Sequence, residues 1–468
     1  MAPESEISTL KEDFLQIIES ENGTRLNSFL DDQNISDVAA LIDEFPEYGE
    51  RIISNLSIHR AGSTFKILDF ATQKKIIQEL SPQKTAELLN VLPADDRTSF
   101  LEDLPGEVVK ELIKLLNPEE RKITLSLLGY PEGSVGRLMT PDYISVHKDW
   151  TVREVIRHIR TVGRDSETID VIYVVDDKGK FIDDIRIREI ILASPDKKIE
   201  DVIDNRYIAL HVDDDQEAAN QAFKMNNRVA LPVLDNNNFL LGIVTIDDML
   251  WVASEEFTED MQKIGGTEAL DEPYLETPFL KLIRKRVGWL IILFLSELLT
   301  ATALAYFNDE IAKATVLVMF MPLITSSGGN SGSQASSLII QAMALGEITL
   351  ADWWRVMRRE IFSGLVLGAI LGVIGFTRIS IWHYLMQQGV FKDIYGVHWF
   401  RVALSVGFAL VGVVLWGTLS GSMLPIVLKK LGADPAVSSA PFVATLVDVT
   451  GLIIYFTVAF IFLQGYLL

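Results

Sequence analysis

The spacing of large apolar residues changes character twice along this chain, and each change marks a different kind of structure. In residues 1–130 leucines recur every twelve positions, at Leu56, Leu68, Leu80, Leu92, Leu104 and Leu116. The last four open the segments LSPQK, LPADD, LPGEV and LNPEE. Proline cannot continue a helix but suits its first turn, so each segment ends one short helix and starts the next. The spacing predicts a small α-helical solenoid whose period is shorter than that of the common repeat families.

Residues 137–253 follow a different rhythm. IDVIYVVDDKGKFIDDIRIREII and VALPVLDNNNFLLGIVTIDDML are two copies of one pattern: strand, polar turn, strand, helix. An extended segment and a helix precede each copy, in YISVHKDWTVREVIRHIRTV and YIALHVDDDQEAANQAFKMN. Beyond residue 277 the chain becomes a series of apolar runs near the length a bilayer demands. They lie at 286–307, 314–346, 361–384, 402–428 and 443–468, and predict five membrane helices.

Basic residues flanking these runs set their orientation. KLIRKR, RVMRR and LKK share one side if the N-terminal half is cytoplasmic. Lys313, Lys392 and Arg401 fall outside, with Arg378 near the outer end of the third run. The second run carries SSGGNSGSQASS at its middle. Its glycines and serines would let helices approach closely. Its Asn330 and Gln334 exceed what packing requires, which favours a water-facing path. Asp448, in TLVDVTG, is an intramembrane carboxylate and so a candidate functional residue. Glu297 in the first run is a weaker candidate, with no role assigned to it.

Charge sharpens the division. The net formal charge is -22, yet residues 277–468 hold 13 Lys+Arg against 9 Asp+Glu. The first half is therefore strongly acidic, which suits cations and repels nucleic acid. The chain has no cysteine, which excludes disulfides and thiolate sites. There is no phosphate-binding glycine loop and no metal-spaced histidine motif, so an enzyme is not expected. The N-terminus MAPESEISTLKEDF shows no secretory signal, and the first half is expected in the cytosol. Glu255/Glu259 and Glu256/Asp260 are like-charge pairs four residues apart, a solvated acidic face or one facing divalent cations. Asp95 and Asp96 open one solenoid helix, where capping competes with cation binding as the explanation.

The paired pattern at 137–253 resembles a tandem of cystathionine-β-synthase (CBS) domains, a regulatory module. GIVTIDD keeps Gly242, Thr245 and Asp248 in that family's adenosine-ligand pattern. DIRIRE in the first copy replaces the hydroxyl and aspartate with Arg186 and Glu189. The whole chain resembles the MgtE family of magnesium transporters. GGNSGSQASSLIIQAMALGEI, LKKLGADPAVSSAPFVATLVDVTGLIIYF, the CBS pair and EEFTEDMQKIG carry that likeness.

The resemblance implies a multidomain protein: an N-terminal α-helical solenoid (1–132), α/β CBS domains (133–198 and 199–250), a connecting plug helix (251–277) and an all-α five-helix transmembrane domain (278–468). It implies a homodimer in the cell (inner) membrane, contacting lipid, with its pore on the dimer axis. Asp448, Ala444 and Asn330 would meet hydrated Mg2+ there. Regulatory Mg2+ would be bound by Asp95, Asp96, Glu217, Asp248, Glu256, Glu259 and Asp260, and ATP by Thr245 and Asp248. Ala440, Asn227 and Lys224 depart from residues that relatives use as ligands. The alternative is a proton-coupled carrier of another divalent cation, regulated by nucleotide at the CBS pair.

Overall fold

The computed structural model describes residues 4–19, 23–270, 274–275, 277–390 and 394–466. Lys392, expected outside the membrane, lies outside the described residues, as do 271–273 and 276 of the connecting segment. The chain divides into two compact units, residues 1–254 and 255–468.

The first unit begins with the solenoid. All six leucines of the twelve-residue ladder are buried, at 2–7% exposure. Leu56, Leu80, Leu92 and Leu116 occupy helix C-caps, while Pro82 and Pro118 start helices and Pro93 and Pro105 stand at N-caps. Each leucine drops into the core as its helix ends, and the adjoining proline sets the next helix going. Two of these helices matter below, α1 (Ala94–Glu102) and α2 (Pro118–Leu127). Arg97 of α1 is fully buried. Its guanidinium donates to the Leu89 and Leu92 carbonyls (both 3.1 Å), to Thr124 Oγ1 (2.8 Å) and to Glu120.

Each CBS-like repeat has its own three-stranded sheet. β1 (Ser145–His147), β2 (Val171–Val175) and β3 (Phe181–Arg186) form the first; β4 (Leu210–His211), β5 (Ala230–Leu234) and β6 (Leu240–Thr245) form the second. In both, the first pair is parallel, the second antiparallel, and a register shift interrupts the antiparallel pair at the same place. Sequence repetition is thus repetition of register. A bridge from Thr140 to Ile243 and a common core of Val171, Tyr173, Phe181, Ala230 and Ile243 join the two repeats. Ala94 and Leu127 of the solenoid share another core with Val212 and Phe223 of the second repeat. That junction turns the start of α1 toward β6 and the helix after it, α3 (Ile246–Ile264). The connecting helix therefore begins inside the second repeat and runs across the division between units.

The second unit holds five long helices among the described residues: α4 (Phe279–Tyr306), α5 (Met321–Ala344), α6 (Trp353–Gln387), α7 (Trp399–Lys430) and α8 (Ala440–Leu463). Four are long and apolar enough to cross a membrane by length and composition; α5 is not among them. Its 24 residues span about 36 Å as a helix. The polar stretch at its middle is regular helix throughout, not broken backbone. Glycines explain where it sits. A Cβ added at Gly417 would stand 2.3 Å from the Gly328 carbonyl oxygen, and one at Gly421 would stand 2.1 Å from that of Gly332. Gly328 and Gly332 of α5 thus meet Gly417 and Gly421 of α7 in a small-xxx-small seam on both helices. Gly364, Gly368 and Gly372 of α6 bring a second such seam against Leu415, Val411 and Gly407 of α7.

Candidate ion pathway and acidic sensor sites

The face of α5 next to the glycine seam looks toward α8. Thr325 faces the Asp448 carboxylate. Gly329 comes within 3.4 Å of Ala444 Cβ, measured from an added Cβ. Ser333 Oγ donates to the Ala440 carbonyl (3.0 Å), and Ser336 Oγ to that of Ser438 (2.8 Å). One residue further round the helix, Ser326, Asn330 and Gln334 form a second stripe, and all three are exposed. The two expectations for the polar stretch therefore divide by face. Its glycines pack helices, while its amides lie exposed on the stripe adjoining the one that meets half-buried Asp448 and Ala444. Glu297 of α4 is exposed and lies within electrostatic reach of Asp448.

Capping does not account for the Asp95–Asp96 pair. Pro93 is the N-cap of α1, and Asp95 is buried with its Oδ1 unpartnered. Burial, together with the facing carboxylates of Asp248, Asp96 and Glu167, holds the Asp95 carboxyl well above its ordinary range. Asp248 accepts from the Thr245 hydroxyl (2.6 Å) and is pushed up to about 7, mainly by burial. Lys66 lies 3.3 Å from Asp96 and also faces Glu167 and Asp247. Three of the predicted regulatory residues, Asp95, Asp96 and Asp248, are thus brought together, and an oxygen that costs free energy to leave bare fits a divalent cation. Glu217 lies in the exposed first turn of the Gln216–Asn226 helix. Asn227, a departure from the ligand pattern, is that helix's left-handed C-cap at φ 50°, where asparagine is well suited.

Glu256, Glu259 and Asp260 occupy the last turns of α3. Asp260 is raised to about 6, first by burial and then by Asp434, with Glu256 and Glu259 adding to it. Lys263 pairs with Glu259 and, at 2.7 Å, with Asp434. Among the described residues no three Asp, Glu or His side chains form a preassembled metal-holding group. Sequence reasoning did not find Lys66, Lys263, Thr325 or Asp434. Only Lys263 carried a local signal, four residues after Glu259; the others are joined by tertiary packing alone.

Together these features define a multi-pass membrane protein with an acidic N-terminal module and a carboxylate, Asp448, among its long apolar helices. Family comparison agrees along the chain: the "MgtE intracellular N domain" matches residues 33–133, CBS domains match 135–196 and 199–255, and the divalent cation transporter domain MgtE matches 321–458. The magnesium transporter MgtE of Thermus thermophilus is 37% identical over 350 residues, covering 75% of this chain and 74% of that protein. The one from Bacillus subtilis is 29% identical over 439 residues, covering 94% of each. A solved structure of the cytosolic domain of the Mg2+ channel MgtE in complex with ATP is 30% identical, with TM-score 0.50, and covers 52% of this chain and 99% of that one. The chain belongs to the MgtE family of magnesium transporters. It is a membrane protein whose N-terminal domains are intracellular.

Proposed function

We propose that two copies of this chain form a pore that passes hydrated Mg2+ across the membrane, closed from the cytosol when its acidic faces bind the same ion. The exposed Ser326–Asn330–Gln334 stripe beside Asp448 carries this reading. Lipid would leave those amides with little beyond the long Asn330–Ser326 contact (3.5 Å), whereas a second copy facing the first would enclose them around a water-filled axis. Mg2+ holds its water tightly and prefers a few carboxylate and carbonyl oxygens to a complete protein cage. Asp448 and its counterpart, with Asn330 and the backbone near Ala444, supply that kind of outer shell. Exposed apolar side chains on the CBS-pair helices, among them Leu192 (74%), Met225 (83%), Leu250 (67%) and Trp251 (63%), support a second copy as their cover.

In the gating step, Asp95, Asp96 and Asp248 repel one another when close, and so do Glu256, Glu259 and Asp260. A cation between such carboxylates favours the compact arrangement by binding it preferentially. Glu217 belongs to the same set by family pattern. The ATP complex of the solved relative supports nucleotide binding here too; by the CBS pattern, Thr245 and Asp248 would hold it. Asp448→Ala is expected to abolish Mg2+ uptake into proteoliposomes while the protein still elutes as folded dimer. Normal uptake by that variant removes Asp448 from the pathway and overturns the reading.

A further inference from the structure

Asp434 sits at a mechanical junction. Its Oδ1 accepts from Ala436 N (2.8 Å), fixing the short helical turn Pro435–Val437 that leads into α8. Its Oδ2 accepts from Lys263 Nζ (2.7 Å) at the end of α3. The loop it organises, 434–440, is held to α5 by Ser333 and Ser336. Ser439, the N-cap of α8, takes a hydrogen bond from Trp289 Nε1 of α4 (3.1 Å), and Gly266 packs on Trp289 and Pro441. One ion pair thus joins the acidic connecting helix to the loop that anchors both helices bearing the polar path. The Lys263 ammonium also lies between the Glu259 and Asp434 carboxylates, the position a bridging dication would need. Hydrogen bonds to Asp434 and Glu259 outweigh the opposing effect of burial and keep Lys263 charged.

We infer that Lys263 is a tethered counter-ion: it latches the connecting helix to the 434–440 loop and competes with divalent cations for the same carboxylates. This deepens the gating reading above and rests on it for the competition, though the latch itself needs no divalent ion. Removing the lysine loosens the helix when divalent ions are absent, yet makes the acidic cleft more attractive to a dication. Removing Asp434 loosens the helix and weakens the cleft. The two substitutions therefore act alike on the latch and oppositely on the Mg2+ response, which simple destabilisation does not produce.

The test uses the full chain in proteoliposomes, with Mg2+ as the only added divalent ion. Amide exchange across residues 257–266 is measured in EDTA, and cytosolic-side Mg2+ inhibition of flux is titrated. Lys263→Met and Asp434→Asn are each expected to speed exchange about two- to fivefold, the range of a partly exposed ion pair, and together no more than either alone. Lys263→Met lowers the Mg2+ needed for half closure and Asp434→Asn raises it, while Lys263→Arg leaves both readouts in place. The exchange Lys263→Asp with Asp434→Lys restores slow exchange in EDTA. Unchanged exchange in Lys263→Met, or additive effects of the two substitutions, overturns the latch. A Mg2+ response that ignores Glu259→Gln with Asp260→Asn overturns the gating reading instead, because the EDTA measurement does not depend on it.

Discussion

The first unit and the second close their helix contacts with different residues at the points of nearest approach. The solenoid and CBS pair fill their cores with Leu, Ile, Val and Phe and leave carboxylates at the seams between domains. The helical bundle keeps a smaller apolar core around Val406, Val413, Tyr455 and Phe456, closes its tightest seams with glycine, and leaves many large apolar residues facing outward; none of the apolar stretch of α4 is buried. In water, removing apolar surface drives assembly. In lipid that drive is missing, and close backbone contact takes its place. On the proposed reading, this difference lets one chain keep acidic interfaces loose enough to respond to cations while the helices beside Asp448 stay tightly fitted.

The most severe way to break that contrast is to give the glycine seam a side chain. Gly421→Val places carbon where the Gly332 carbonyl oxygen stands, so α5 and α7 must separate. The expected outcome is loss of monodisperse protein on size exclusion, with a cost well above the ~1–3 kcal/mol of ordinary overpacking. A smaller effect is expected in the first unit from Arg97→Met, which strips the Leu89 and Leu92 carbonyls and Glu120 of their donor. Its cost is about 3 kcal/mol, read as a lower thermal midpoint of the cytosolic half while the bundle's midpoint is unchanged.

The smallest effect concerns pH and sharpens the contrast instead of breaking it. Asp248 is raised from 3.8 to about 7 by burial first and by neighbouring carboxylates after. The folded state therefore binds its proton more tightly than the unfolded state does. Stability of the first unit, without divalent ions, should fall as pH rises from about 4 to about 7. Asp248→Asn should flatten that slope in melts across the range, and an unchanged slope would assign the pH response to other groups. The glycine seams carry no charge and add nothing to that dependence.

Much of this architecture was legible because its signals are local. The twelve-residue leucine ladder marks helix ends directly, since a C-cap leucine and the proline near it are neighbours in sequence. The duplicated strand–turn–strand pattern foretells two sheets with the same register. Five membrane helices were expected from apolar length; five long helices form, of which four qualify as spans by length and composition, and the polar middle of α5 keeps it from qualifying. The acidic sites were legible as residue types but not as clusters. Nothing in DDRTS says that Asp95 faces Asp248, some 150 positions onward, because that proximity depends on Ala94 and Leu127 sharing a core with the second repeat. The polar stretch in α5 was legible as unusual, while its division into a packed face and an open one required the helix to be placed.

By itself, then, the sequence determined the order of domains, the positions of the long helices, and the residue types available to a cation, since these follow from neighbouring residues and from apolar length. Tertiary structure alone decided which carboxylates confront each other, which lysines stand among them, and which side of α5 is closed by glycine. The physical reason is distance: electrostatic repulsion and close backbone contact act over a few ångströms in space, whatever the separation along the chain.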